Sequence, residues 1–309
     1  MTTPAHPLRL GTRGSPLALT QARMVAAALY AAHGWDKAAI TIIPVRTTGD
    51  RVQDRPLAEI GGKALWTKEL DRALLDGEID FAVHSMKDVE TIRPAAIRIA
   101  AMLPRADVRD RLVGAVSITT LPANARVGTS SPRRAAQLRH ARPDISIIPF
   151  RGNVDTRLQR LVDGEAEATL LAAAGLDRLG RGDVGHAIAI ETMLPAPAQG
   201  AIGIETRTDD AVTHALLAAI DDAATHACVL AERALLAALG AACHSPVAAL
   251  ARRDGAHIHI LAELLSEDGT HRIADAITIA ADRPQDTGAL ADRMLAAAPP
   301  TLAALFIGR

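Results

Sequence analysis

The segment LRLGTRGSPLALTQARMVAAALYAAHG, residues 8–34, contains the features that decide the fold. A short apolar run from Leu8 to Leu10 leads into a Gly-Thr-Arg-Gly loop. Ser15 has a side chain typical of a helix N-cap, and Pro16 suits the first helical position because no backbone N–H is needed there. Apolar residues then recur at helical spacing up to Gly34, which indicates the helix end. The segment predicts a strand, a loop and a helix.

The same order of features returns in ARVGTSSPRRAAQLRHARPD, residues 125–144. Both segments place a Ser-Pro pair after a Gly-Thr loop, and both carry a glutamine six residues after that serine, at Gln21 and Gln137. Alternating strands and helices predict α/β units. We interpret the two segments as parts of two similar α/β lobes with mixed, mostly parallel sheets, each of which presents a helix N-terminus.

The remainder of the chain predicts a return to the first lobe and then a third domain. Residues 201–205 are strand-like and follow a Pro- and Gly-rich crossover, so we expect them to join the first sheet. From about Asp221, one long helix, three strand-like runs and a final helix predict a small α+β domain. The expected division is a first lobe over residues 1–103 and 200–219, a second over 104–199, and a C-terminal domain over 220–309.

Composition narrows the class of protein. The 309 residues are 49% hydrophobic and 2% aromatic, with a formal net charge of −1. Few aromatic side chains argue against a nucleic-acid surface built on base stacking, and the balanced charge leaves only a local basic pocket for anions. No apolar run has the length of a membrane span or a signal-peptide core. We therefore expect a cytoplasmic protein that binds neither nucleic acid nor membranes.

The two cysteines, Cys228 and Cys243, have no CxxC spacing, which argues against a zinc site or a disulfide framework, and we expect no metal. Cys228 falls inside a helical apolar pattern and is interpreted as a core residue. Cys243 lies in LGAACHSPVAAL, residues 239–250, where a helix is predicted to end. Its neighbour His244 is adjacent in sequence, and adjacent side chains rarely face each other in catalytic geometry. The residues alone leave the role of Cys243 open.

Cationic side chains recur where predicted strands lead into helices. Ligands of open α/β sheets bind beyond the carboxyl ends of strands, where helix N-termini offer free N–H groups. Any single arginine is commonly a solvated surface residue, but the clustering favours a site for a molecule with several negative charges. Two of these residues occupy a first helical turn, against the helix dipole. The set comprises Arg13, Lys87, Arg133, Arg134, Arg151, Arg157 and Arg178.

Asp88 ends the segment DFAVHSMKD, residues 80–88, in which a buried strand is predicted. Its plainest interpretation is a surface ion pair with Lys87 or a helix cap. The functional interpretation is a carboxylate that holds an N–H donor and stabilises a cation. His84 is interpreted as a hydrogen-bonded residue at the strand end rather than a catalytic base.

Eight segments occur in this order: GTRGSPLALTQA, GGKALWTKEL, DFAVHSMKDV, GTSSPRRAAQL, RGNVDTRL, LAAAGLDRLG, LPAPAQGAIGIE and AACHSPV. With these separations the chain resembles the porphobilinogen deaminase (hydroxymethylbilane synthase) family over almost its whole length. The resemblance implies two lobes like those of periplasmic anion-binding proteins and a third domain. It implies a monomeric transferase of tetrapyrrole biosynthesis that condenses four porphobilinogen molecules head to tail, with release of ammonia, into hydroxymethylbilane. The growing oligopyrrole chain is built on one covalent dipyrromethane cofactor per chain.

The resemblance also implies roles for individual residues. Asp88 matches the catalytic aspartate, and Cys243 matches the cysteine that holds the dipyrromethane through a thioether. Further cofactor contacts are implied for Lys87, Asp88, Thr129, Ser130, Ser131, Arg133, Arg134, Gln199 and Gly200. Substrate contacts are implied for Arg13, Ser15, Lys63, Trp66, Arg151, Asn153, Arg157 and Arg178.

The sequence departs from the family pattern at several positions. Alanines stand at 241–242 where two glycines are frequent, and Ala198 and Asp155 each replace a frequent glycine. None of these changes removes a residue matched to the mechanism, so we expect activity. Two other functions stay open on the residues alone: a cytosolic anion-binding or sensor protein, and a sugar-phosphate or nucleotide enzyme that uses GTSSPRR. The second lacks a phosphate-loop motif.

Overall fold

The computed structural model describes residues 6–46, 67–242 and 244–306. Three β-sheets organise these residues, and the chain divides into two compact units. One unit comprises residues 1–106 and 201–226, and the other comprises residues 107–200 and 227–309. The first unit holds one five-stranded sheet, and the second unit holds the other two sheets.

The first lobe is built on a sheet with the strand order β2-β1-β3-β10-β4. Its strands are β1 (Leu8–Arg13), β2 (Ile40–Val45), β3 (Phe81–Ser85), β4 (Ile97–Met102) and β10 (Ile202–Arg207). Strand β1 is parallel to β2 and β3, whereas β10 is antiparallel to both of its neighbours, β3 and β4. Four strands therefore run in one direction and β10 in the other. The predicted return of residues 201–205 to this sheet is confirmed.

The helices of the first lobe are α1 (Pro16–His33), α2 (Lys68–Leu75) and α6 (Ala211–Leu217). Helix α1 begins as predicted, because the Ser15 side chain accepts a hydrogen bond from the backbone N–H of Ala18 at 3.3 Å. It ends at Gly34, whose φ of 69° is in the left-handed region. The buried face of α1 packs Val25 and Leu29 into the core above the sheet. Burial of one such side chain stabilises a fold by about 1.5–3 kcal/mol.

The second lobe repeats this topology with the order β7-β6-β8-β5-β9. Its strands are β5 (Asp110–Val113), β6 (Arg126–Gly128), β7 (Ser146–Ile148), β8 (Ala168–Ala172) and β9 (His186–Ala187), and its helices are α3 (Pro132–Ala141), α4 (Val154–Val162) and α5 (Ala173–Arg178). Strand β5 is antiparallel to both of its neighbours, β8 and β9, so it corresponds to β10 of the first sheet. The prediction of two similar lobes is confirmed.

The glycine of each Gly-Thr pair is required by close packing. The predicted loop at Gly11 is wrong, because β1 continues to Arg13, and Gly128 is the last residue of β6. A Cβ atom on Gly11 would overlap the side chain of Ile79, and one on Gly128 would overlap the ring of Phe150. Both neighbours are fully buried. Any larger residue at these two positions would have to displace a core side chain, which explains why β1 and β6 both carry a glycine before the threonine.

The C-terminal part contains the antiparallel sheet β11 (Val247–Asp254), β12 (His257–Leu265) and β13 (Arg272–Ala280), with helices α7 (Ala223–Ala238), α8 (Gly288–Ala297) and α9 (Pro300–Ala303). Leu235, Ile260 and Met294 are fully buried in its core. Cys228 is also buried there, as predicted. The predicted architecture of two lobes and a small C-terminal α+β domain is confirmed, whereas the exact domain boundaries stay a prediction.

Candidate active site

Asp88 lies just beyond the carboxyl end of β3. The strand leads into a single 3₁₀ turn, Met86–Asp88. Met86, the first residue of the turn, and Val89, which follows the turn, are both buried. The backbone N–H of Met86 donates to the carbonyl of Ala201 at 3.1 Å, which ties the turn to the chain that enters β10. Because both ends of the turn are anchored in the core, Lys87 and Asp88 are held half-buried at the edge of the sheet.

A buried charged network lies beside this turn, and we call it the Arg93 cluster: Arg93, Asp71, Glu90, Glu205 and His84. Arg93 donates to both carboxylate oxygens of Glu205, from Nε at 2.9 Å and from Nη2 at 2.8 Å. It also donates to Glu90 at 2.9 Å and to Asp71 at 2.5 Å and 3.1 Å. One guanidinium therefore donates hydrogen bonds to three carboxylates.

Glu205 is the most deeply buried acid of the Arg93 cluster. Its Oε2 atom lies 3.3 Å from Nε2 of His84, close enough for attraction to a protonated ring but not aligned as a hydrogen bond. Burial raises the pKa of Glu205, but His84 and Arg93 outweigh burial and lower that pKa to about 2. Glu205 is therefore ionised at neutral pH, and His84 lies buried against it within β3. The interpretation of His84 as a structural residue stays a prediction.

In the second lobe, the Thr129–Ser131 segment joins β6 to α3. Ser131 caps the helix by accepting from the backbone N–H of Arg134 at 3.4 Å, and Ser130 Oγ donates to the carbonyl of Phe150 at 2.9 Å. The backbone N–H of Ser131 donates to Thr129 Oγ1 at 3.2 Å. These bonds fix the loop that the sequence placed at an anion site.

Arg133 and Arg134 are buried, at 3% and 5% exposure, and share one carboxylate. Asp110, the first residue of β5, accepts from Arg133 at 2.8 Å and from Arg134 at 2.6 Å. Burial raises the pKa of Asp110, but the two guanidinium groups hold that pKa well below its ordinary range. Gln199 Nε2 also donates to Asp110, at 2.9 Å. We call these four residues the Asp110 cluster.

The Asp110 cluster accounts for two arginines in a first helical turn, where the helix dipole is unfavourable to them. It carries two positive charges and one negative charge, so it stays cationic. The Nε atoms of both arginines are buried and have no hydrogen-bond partner among the described residues. Sequence reasoning missed Asp110 and Glu205. The available signal was an acid at the border of an apolar strand, in DRLV for Asp110 and in AIGIE for Glu205.

Two further predicted residues lie around the start of α4. Asn153 caps this helix, since its Oδ1 accepts from the backbone N–H of Thr156 at 2.9 Å, and Arg157 Nε donates to the carbonyl of Gly152 at 3.0 Å. Asp155, the acid that replaces a frequent glycine of the family, forms an ion pair with Arg181 at 2.5 Å. Its charge is therefore compensated within the lobe.

Arg151 and Arg178 each have a buried nitrogen with no hydrogen-bond partner in the described part of the chain, Nη1 and Nε respectively. Arg178 Nη2 donates to the carbonyl of Gly200 at 2.7 Å, and burial lowers the pKa of Arg178 to about 10. Gly200 follows Gln199 and has a φ of 85°, which glycine adopts without strain. The structure thus brings Gly200 to Arg178 and Gln199 to the Asp110 cluster.

The remaining predicted residues are distributed as follows. Arg13 is the last residue of β1, and Ser15 is the N-cap of α1 two residues later. Lys63, Trp66 and Cys243 lie outside the described residues. Within the described ranges, no group of three or more His, Cys, Asp and Glu side chains is arranged to hold a metal ion. No described helix is both long enough and apolar enough to cross a membrane.

The two equivalent sheets and the C-terminal sheet define a protein of two similar α/β lobes with a third α+β domain. The first lobe carries the Asp88 carboxylate, and the second carries the buried arginines. Residues 8–215 match a family model described as porphobilinogen deaminase, dipyromethane cofactor binding domain, and residues 226–297 match the C-terminal domain of the same enzyme. The chain belongs to the porphobilinogen deaminase family. The family predicted from the sequence motifs is therefore confirmed, and the matched model is that of a cofactor-binding domain.

Similar proteins cover nearly the whole chain. The porphobilinogen deaminase of Sphingopyxis alaskensis is 58% identical over 99% of this chain and 98% of its own length. That of Paracoccus denitrificans is 50% identical over 97% of each chain. Among solved structures, the second substrate binding domain of a putative amino acid ABC transporter from Streptococcus pneumoniae aligns with a TM-score of 0.44 at 11% identity, covering 69% of this chain and 90% of that one.

Proposed function

We propose that this protein is a transferase that joins four porphobilinogen molecules head to tail, with release of ammonia, to form hydroxymethylbilane. The observation that carries this proposal is the match of both family models, which together span residues 8–297 with a short gap. The reaction belongs to porphyrin biosynthesis. We further propose a cytoplasmic monomer whose only partners are the substrate and the growing oligopyrrole, with domain boundaries as predicted from the sequence.

Asp88 is proposed as the catalytic carboxylate. Loss of ammonia from porphobilinogen leaves a cationic azafulvene, and a fixed negative charge near the pyrrole N–H stabilises that cation. Asp88 suits this role because the buried residues Met86 and Val89 hold its turn at the strand end. We propose that the same carboxylate exchanges a proton with the leaving amine.

The buried arginines of the second lobe are proposed to bind the carboxylates of the pyrroles. Each ring bears an acetate and a propionate, so every condensation adds two negative charges. Arg133, Arg134, Arg151 and Arg178 each have a buried N–H without a hydrogen-bond partner among the described residues. A buried donor of this kind costs free energy unless it is satisfied, and a carboxylate satisfies it with a charge-assisted bond. We propose on this ground that these residues bind the dipyrromethane and the chain built on it.

The dipyrromethane supplies the pyrrole carbon to which the first substrate unit is joined. We propose that Cys243 holds it by a thioether and that Lys87, Thr129, Ser130, Ser131, Gln199 and Gly200 complete its binding site, as the motifs imply. Arg13, Ser15, Asn153 and Arg157 are proposed to contact the incoming substrate, together with Lys63 and Trp66. The bonds that hold Ser131 and Asn153 as helix caps support this role, because they leave the helix N-termini formed before any ligand binds.

Intact-mass measurement tests the covalent anchor. Purified active protein should be heavier than its sequence by two linked pyrrole units, and Cys243→Ser should have the sequence mass and no porphobilinogen turnover. Cys228→Ser is the matched control, because this buried cysteine should not carry the group. Active wild-type protein with an unmodified mass would disprove the thioether, and wild-type protein without turnover would disprove the proposed function.

A further inference from the structure

The turn that carries Asp88 is flanked on both sides by residues of the Arg93 cluster. His84 precedes Asp88 by four residues and lies against Glu205, and Glu90 follows Asp88 by two residues and accepts from Arg93. Glu205 itself is held by Arg93 through two hydrogen bonds. One continuous set of contacts therefore runs from His84, two residues before the turn, through Glu205 and Arg93, to Glu90, two residues after the turn.

Arg93 also ties this set to the neighbouring helix. It donates to Asp71 of α2, and Thr67, which immediately precedes that helix, donates to Glu90 at 2.6 Å. The guanidinium side chain is only 9% exposed, so its bonds are shielded from water and from screening by salt. The planar fork of arginine suits this role, because it can serve three carboxylates at fixed angles, which the single ammonium of lysine cannot do.

We infer that Arg93 is a positioning residue for Asp88: it fixes Glu205 and Glu90 and thereby holds both flanks of the catalytic turn. The inference rests on the proposed function, since it assigns Asp88 to the reaction. Arg93 is not proposed to touch the substrate. Arg93 affects the reaction rate because the Asp88 carboxylate must be held close to its productive position to stabilise a cation. A displacement of about 1 Å can lower a rate by about 100-fold.

The cluster also contributes charge. Its three carboxylates exceed the single guanidinium, so the acids and the arginine of the cluster together carry a net negative charge. Burial opposes the charged form of Arg93, but hydrogen bonds to Asp71 and attraction to Glu205 raise the pKa of Arg93 above its ordinary value. Arg93 therefore remains charged at every pH at which the protein would be assayed, and the cluster works as a fixed structure rather than a switch.

The test compares Arg93→Met and Arg93→Lys with wild-type protein and with Arg98→Met, a control on the exposed face of β4. Turnover of porphobilinogen, intact mass and the urea midpoint should be measured for each. We expect Arg93→Met to lower kcat by about 10- to 100-fold while KM changes less than about threefold and the covalent cofactor is retained. Arg93→Lys should recover part of kcat, and Arg98→Met should match wild type.

A double-mutant cycle separates positioning from general stability. If Arg93 acts through Asp88, the effect of Arg93→Met on kcat should be much smaller in an Asp88→Glu background, because the carboxylate is already displaced there. Additive effects, or folded and loaded Arg93→Met with wild-type kcat, would overturn the inference while leaving the proposed function intact. Should Arg93→Met fail to fold, Glu90→Gln keeps the size of the flanking residue, removes its charge, and carries the same expectations.

Discussion

The two lobes have the same strand order, but their buried clusters have opposite charge. In the first lobe, one arginine, Arg93, forms ion pairs with three carboxylates. In the second lobe, one carboxylate, Asp110, forms ion pairs with two arginines. Glu205 and Asp110 both lie on the strand that runs against its neighbours, β10 and β5 respectively. The two lobes therefore share a topology, but the cluster around β10 is anionic and the cluster around the equivalent strand β5 is cationic.

This difference matches the two demands of the proposed reaction. A developing cation needs negative charge nearby, which we propose that Asp88 and the surplus carboxylates of the Arg93 cluster supply. A product that gains two carboxylates per step needs cationic donors, which we propose that the Asp110 cluster, Arg151 and Arg178 supply. The comparison predicts that substitutions in the first lobe affect mainly the chemical step, and that substitutions in the second affect mainly folding and retention of the anionic chain.

The largest effect is expected from Asp88→Ala. The variant should fold, because Asp88 is half-buried and the core residues Met86 and Val89 remain, yet product formation should fall roughly 1000-fold through the loss of cation stabilisation. Turnover of porphobilinogen and far-UV circular dichroism measure the two properties, with Asp88→Glu as the charge-preserving control. Near-normal turnover in Asp88→Ala would disprove the proposed catalytic role of Asp88 in the first lobe.

A stability effect is expected from Asp110→Asn in the second lobe. Removal of the carboxylate leaves Arg133 and Arg134 buried without a counter-charge, and loss of one partner of a buried ion pair costs about 3–5 kcal/mol. The free energy of unfolding in urea measures the effect. Asp155→Asn is the matched control, since its exposed pair with Arg181 should contribute at most about 1 kcal/mol. Equal losses in the two variants would contradict a special role for the buried cluster.

The smallest effect concerns acid stability and Glu205. The folded-state pKa of Glu205, about 2, lies below the ordinary value of 4.5, so its ionised form contributes stability that is fully present above pH 4.5. That contribution is lost as the pH falls towards 2. The difference in unfolding free energy between wild type and Glu205→Gln should therefore shrink as the pH is lowered from 5 towards 2. A difference independent of pH would mean that Glu205 is not a strongly ionised partner of Arg93.

Much of the scaffold could be predicted from local sequence. The Ser-Pro pairs after Gly-Thr loops predict where α1 and α3 begin, because N-caps and first-turn prolines depend on residues only a few positions apart. The alternation of strands and helices predicts the two lobes in the same way. Asp88 is a candidate from the sequence because an acid directly follows a predicted strand end, and its role stays a prediction.

The partners of the charged residues could not be predicted in this way. Arg133 and Asp110 are 23 positions apart, and Arg93 and Glu205 are 112 positions apart. The sequence predicted cations at strand-to-helix junctions, but Arg178 is instead the last residue of α5. The sequence also did not indicate that Arg133 and Arg134 are buried against one carboxylate. The pairing depends on which strands become neighbours, and in particular on the antiparallel strand that each sheet places fourth.

The sequence by itself determined the alternation of strands and helices, the duplicated lobes and the family, because these depend on local pattern and on motif order. It did not determine every boundary, since β1 continues to Arg13 and residues 173–178 form a helix. Only the tertiary structure decided which charges are buried together. The free energy of a charge is set by the groups around it in space and by its distance from water. Those surroundings, which make one cluster anionic and the other cationic, arise only when distant segments pack.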